Sequence, residues 1–161
     1  MCAICHSGTK NMQKPAFSFR PGQLRDDYFF PEYGALLPDQ LDVHGNQYAL
    51  MKASRCYSEN VTLTCGTCHS PHQKERDNLQ VFSQRCITCH QDVEHSFVKT
   101  GDIADESLKA NCIDCHMPLK ASSVITLLTE QKTAAKPDFI RTHLIKVYTE
   151  ESKNFLKSRN K

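Results

Sequence analysis

Apolar positions along this chain come in short groups. None approaches the ~20 consecutive apolar residues that a spanning helix needs, so the segment is not expected to cross a membrane. Short helices are predicted around residues 46–57, 84–97 and 103–116, with Asp102 or Asp105 capping the helix that runs into Cys112. The tail from Thr149 reads as a solvated amphipathic helix. Thr149 can cap it, Glu150 and Glu151 suit its N-terminus, and Lys157 and Arg159 its C-terminus. Val124–Leu128 is a short apolar run for which periodicity does not separate strand from helix. Between Pro15 and Asp42 neither the helical nor the strand repeat emerges. That stretch is rich in Pro, Gly and aromatics (Phe17, Phe19, Tyr28, Phe29, Phe30 and Tyr33), which predicts an ordered loop rather than a floppy linker.

The expected fold is therefore mainly α with long irregular loops and little or no β-sheet, in a single domain over residues 1–161. Composition then complicates this picture. The chain is 39% apolar and lacks Trp, a lean supply for one core. Twenty Lys and Arg against 18 Asp and Glu give a formal charge of +2 without a basic run, which argues against nucleic acid as a partner. The unusual residues are nine Cys and eight His.

Eight of the cysteines fall into four CxxC units, each followed at once by His. They are Cys2-Ala-Ile-Cys5-His6, Cys65-Gly-Thr-Cys68-His69, Cys86-Ile-Thr-Cys89-His90 and Cys112-Ile-Asp-Cys115-His116. CxxCH is the attachment signature of c-type haem. Two thiols three residues apart on a helical turn can each form a thioether with one haem vinyl group. The next residue presents its imidazole to the iron as proximal ligand. A four-cysteine zinc site at Cys65, Cys68, Cys86 and Cys89 is the alternative, and a disulfide scaffold is another. Neither explains a His after every second Cys, a coincidence of about one in 10⁵ at this chain's His frequency. Four covalent haem c groups are expected.

With His6, His69, His90 and His116 as proximal ligands, His44, His72, His95 and His143 remain, as many as there are sixth coordination positions. The expectation is four six-coordinate, bis-His, low-spin irons. His72 lies too near His69 to reach the far face of the same haem, and His95 too near His90, so each should serve a different haem. His143 follows the last motif by 27 residues and has chain enough to fold back. Among the methionines, Met117 cannot cross its own haem and is expected to pack; Met12 and Met51 stay open as sixth ligands. Cys56, the ninth cysteine, is expected as a small buried residue near a haem, with an inter-chain disulfide as the sharper alternative.

These stretches together resemble the multihaem c-type cytochromes related to the hydroxylamine-pathway tetrahaem cytochromes. The likeness rests on Phe17–Gly22, Val43–Gln47, Leu63–His72, Cys112–Pro118 and Ile140–His143, and covers roughly residues 2–148. It implies electron transfer along closely packed haems, with histidines like His72 and His143 as distal ligands. Proteins of this type often carry further motifs upstream. With its first motif at residue 2, the chain is either a tetrahaem unit or the C-terminal part of a longer one. In the second case His44 or His95 would serve a haem carried elsewhere.

Covalent attachment takes place outside the cytoplasmic membrane, so a periplasmic or extracellular location is expected. No signal peptide precedes Cys2, and the sequence reads as processed, trimmed or a fragment. Three functions stay open: an electron carrier serving redox partner proteins, a haem reductase or oxidase of a small nitrogen or sulfur species with one open iron, and a subunit of a polymeric or membrane-associated assembly. Haem would also replace much of the missing core. Its propionates would turn the formal +2 into roughly −2 oxidised and −6 reduced. Met ligation raises a haem potential relative to bis-His. Redox titration is therefore expected to place these haems below a His/Met cytochrome; a clearly positive potential at every haem contradicts bis-His ligation.

Overall fold

Helices dominate, as the pattern predicts, but most are a single turn or little more. In the computed structural model they are α1 (Gln47–Lys52), α2 (Arg55–Glu59), α3 (Cys65–Cys68), α4 (Leu79–Cys89), α5 (Asp105–Lys109), α6 (Cys112–His116) and α7 (Thr149–Arg159). Single 3-10 turns cover Cys2–Ile4, Arg25–Asp27 and Pro38–Gln40. The structure describes residues 2–4, 6–7, 12–15, 17–30, 37–60, 62–95, 104–128 and 135–159. Cys5, Tyr33 and Asp102 lie outside that set, as do residues 96–97 and 103 of two predicted helices. No helix among the described residues is long and apolar enough to cross a membrane.

The one sheet among the described residues is an antiparallel pair, β1 (Leu119–Leu127) and β2 (Lys136–Arg141). Leu119 lies opposite Arg141 and Ala121 opposite Phe139; an irregularity follows before Thr126 meets Pro137. The ambiguous run at Val124 is thus strand as far as Leu127.

Several element boundaries differ from expectation, each for a local reason. The helix predicted over 46–57 is two, broken before Ser54. That buried hydroxyl donates to the His143 carbonyl (2.8 Å) and accepts the Ile145 N–H (2.7 Å), so a distant strand of backbone enters at the break. Helix α4 starts five residues earlier than residue 84, where the Asn78 side chain accepts the Val81 N–H. The helix predicted over 103–116 is also two, joined through Ala110 and Asn111, whose amide donates to the Ser107 carbonyl (2.6 Å). Asp105 does not cap α5: it is its first residue, ion-paired to Lys109 one turn on (2.6 Å), and Ala104 holds the cap position. Thr149 likewise lies inside α7. The Tyr148 carbonyl before it accepts the Ser152 N–H (2.9 Å) and hydroxyl (3.0 Å).

By contact the chain forms two compact units, Met1–Glu59 with Leu119–Ile145, and Asn60–Pro118 with Lys146–Lys161. In the first, Val43, Leu50 and Leu144 form the core, with Leu41 and Ile140 packed against it. The aromatic loop is ordered where described. Tyr28 and Phe29 are buried, Phe19 meets Tyr28 edge-on at 5.2 Å, and the Tyr28 hydroxyl donates to Gln23 Oε1 (2.6 Å). Phe17 and Phe30, however, face outward. In the second unit Leu108 and Ile113 are buried beside Ser83 on α4. Cores this small match the lean apolar composition.

One carboxylate ties the first unit together. Asp42 Oδ1 accepts the His44 N–H (2.7 Å) and the Ser122 hydroxyl (2.9 Å), while Oδ2 accepts the Ser123 N–H and hydroxyl (2.8 Å). Burial alone would raise its pKa, but the bonds from Ser123, His44 and Ser122 outweigh it and hold the group at about 2, against an ordinary 3.8. A depressed carboxylate stabilises the fold fully above the ordinary value and loses that contribution as pH falls through about 2. Asp42→Ala is expected to cost about 1–2 kcal/mol at neutral pH, from lost charge-assisted hydrogen bonds at a partly exposed site. Urea midpoints should show it, with wild type and variant converging toward the acid limit.

Candidate functional site

Every CxxCH segment folds as a helical turn where it is described. The His amide donates to the carbonyl of the first Cys in three motifs: His6 to Cys2 (3.1 Å), His69 to Cys65 (2.9 Å) and His90 to Cys86 (2.9 Å). In the fourth, His116 closes helix α6 itself. An i to i+4 bond sets residues i, i+3 and i+4 on one face, so two thiols and an imidazole share a side of the turn in the second, third and fourth motifs.

The first motif lies in the first unit with His44 and His143. His6 is exposed, and its carbonyl accepts the Tyr48 N–H (3.0 Å). Ser7, fully buried, donates to the Ala3 carbonyl, and Arg25 donates to the Ser7 hydroxyl (3.3 Å). The Arg25 guanidinium lies over the rings of Phe29 (4.8 Å) and Tyr48 (5.2 Å). His44 is exposed on the turn at Gly45, whose φ of +81° glycine tolerates best. His143 is half-buried and held through its carbonyl by Ser54. Met51 is buried in α1, Met12 is exposed, and Cys56 is half-buried in α2.

The second unit carries the other three motifs with His72 and His95. Its helix α4 connects them. Arg85, the residue before Cys86, donates through Nη1 to the Cys68 carbonyl (2.7 Å) and pairs through both terminal nitrogens with Glu75. Glu75 in turn accepts the Ser70 N–H (3.0 Å). The Arg85 bond is the main reason, with the Ser70 N–H second, that Glu75 is held at about 2. The His69 ring lies 5.1 Å from Phe82, and His72 is exposed on the following turn.

On the opposite connection, the Cys112 thiol is hydrogen-bonded to Cys86 and donates to the Lys109 carbonyl (3.4 Å). The Cys86 contact, aided by Ser83 and opposed by burial, lowers Cys112 to about 7. Burial pushes Cys115 the other way, against a hydrogen bond from Ser152 on α7.

His116 is held most fully. Its Nδ1 lies 3.1 Å from the Lys146 carbonyl, and its own carbonyl accepts the Lys146 N–H (3.4 Å). A carbonyl only accepts, so Nδ1 carries the proton and Nε2 keeps its lone pair. Burial lowers the His116 pKa, the Lys146 bond opposes that, and His95 and His90 lower it further. The His95 ring centre is 6.3 Å from that of His116, with the planes at 48°. A cavity of about 440 Å³ opens beside His95, bordered by Asp92, Glu94, Asp105 and Lys109.

The structure thus brings His95 to His116, a pairing that spacing alone left open. Among the described residues, no three or more His, Cys, Asp or Glu side chains converge to hold a metal ion. Cys65, Cys68, Cys86 and Cys89 are all described, so the zinc alternative has no assembled four-thiolate site. Arg85, Glu75, Phe82 and Ser83 were not singled out by sequence. Nothing in their spacing marks them, since each acts across a loop. Comparison with family models, curated proteins and solved structures gave no match.

In haem-free protein at pH 7, Cys112 is expected to react with iodoacetamide several-fold faster than Cys115, because the thiolate is the nucleophile. Peptide mass spectrometry over a time course reads the order directly.

Proposed function

We propose that this chain is a four-haem c-type cytochrome that transfers electrons between redox partner proteins. The observation that carries this reading is the neighbouring pair His95 and His116. Two imidazole–metal bonds of about 2 Å, with about 1.1 Å more from nitrogen to ring centre on each side, put ring centres roughly 6 Å apart. The 6.3 Å between His95 and His116 fits one iron between them. The tautomer fits too. Lys146 holds the Nδ1 proton and leaves Nε2 as the donor atom, the usual second contact of a ligating histidine. A lowered pKa keeps the ring neutral at pH 7, as a ligand must be.

Bound haem supplies an iron that cycles between ferric and ferrous states. The chain's residues do the rest. In each motif two cysteines anchor the group covalently and the following His ligates it, with His95 completing the fourth site. His44, His72 and His143 are the candidate sixth ligands for the remaining three. Six-coordinate irons exchange electrons and leave no position for a substrate, which favours a carrier over an enzyme. The covalent attachment chemistry implies a periplasmic or extracellular setting. Encounter with partners would be steered by rim charges near haem edges.

The holoprotein is expected to show four haems per chain by pyridine haemochrome assay and only low-spin ferric signals by electron paramagnetic resonance. His95→Ala should convert one of the four to high spin. A substantial high-spin signal in the wild type would instead indicate an open, enzyme-like iron.

A further inference from the structure

We propose that Arg85 and Glu75 act as a positioning pair for His69, so that the helix leading into the third motif sets the ligand geometry of the second. This rests on the reading of His69 as an iron ligand. The evidence is convergence on one residue from three sides. Arg85 holds the carbonyl of Cys68, immediately before His69 (2.7 Å). Glu75 holds the amide of Ser70, immediately after it (3.0 Å). Phe82, one turn before Arg85 on α4, packs against the imidazole itself (5.1 Å), and the Arg85 guanidinium lies over the Phe82 ring (5.5 Å).

A surface ion pair placed only for stability has no reason to grip the backbone on both sides of one candidate ligand. This pair is two-pronged and largely shielded, with Glu75 11% and Arg85 28% exposed. Only a guanidinium suits the task. Its fork reaches the carboxylate through two nitrogens while one of them also meets the carbonyl, whereas a Lys ammonium is a point charge that meets one partner well. The geometry leaves His69 little freedom to rotate about its own backbone. Axial imidazole orientation would then be fixed by α4 rather than by the short α3 turn.

The test uses holoprotein of the wild type, Arg85→Gln, Arg85→Lys and Glu75→Gln, with His69→Gly to identify the resonance signal of the second haem. Low-spin g values are read for all haems, beside thermal midpoints. The expected result is that Arg85→Gln and Glu75→Gln shift the g values of that one haem and leave the other three in place. Arg85→Lys should shift the same signal by less. If Arg85→Gln loses only the second haem, that selective loss supports the pairing as well. Unchanged g values at all four haems, with a lowered thermal midpoint alone, would reduce the pair to a structural brace and overturn the inference. A wild type without haem overturns the functional reading itself and is recognised separately in the haemochrome assay.

Discussion

A helix of four or five residues cannot sustain itself in water, because fixing the first turn orders several residues for a single hydrogen bond. Three of the four CxxCH turns are of that size or smaller, at Cys2–Ile4, Cys65–Cys68 and Cys112–His116. Each therefore depends on contacts from outside its own sequence. The first leans on Ser7 and Arg25 and on the amide of Tyr48. The second is gripped by Arg85 and Glu75. The fourth is tied at ring and backbone to Lys146. Only the third sits on a helix long enough to organise others, and α4 does so in both directions.

Two carboxylates share a role in this scheme. Asp42 accepts the amide of His44, and Glu75 accepts the amide that follows His69. In both, hydrogen bonds keep the acid ionised well below its ordinary range. A charged acceptor on a backbone amide beside a histidine fixes the local chain without occupying the imidazole. The ring nitrogens are left for other chemistry. His116 achieves the same end differently, by spending Nδ1 on a carbonyl.

The CxxCH turns were legible in the sequence because their spacing is local. The mainly helical class was legible for the same reason. The breaks at Ser54 and at Ala110–Asn111 were not, because each answers to a segment or side chain that periodicity does not register. Nor were the cap positions, where Ala104 and Tyr148 displaced the polar residues favoured by propensity. The His95–His116 pairing illustrates the divide. Reach along the chain separated the proposed roles of His95 and His90, yet only folding could select which histidine His95 would lie beside. Arg85 and Glu75 were invisible as a pair, being ordinary charged residues ten positions apart.

The second unit is not continuous in sequence. It runs to Pro118, the chain departs to build β1 and β2, and it returns at Lys146. As a polypeptide emerges from its N-terminus, the grip of Arg85 and Glu75 on the α3 turn can close early, since those contacts lie within residues 68–85. The turn bearing His116 waits for residue 146, thirty positions later. Positioning of the His116 ring is thus tied to a segment made well after the motif, and a product truncated before Lys146 would carry the motif without the contact that selects its tautomer.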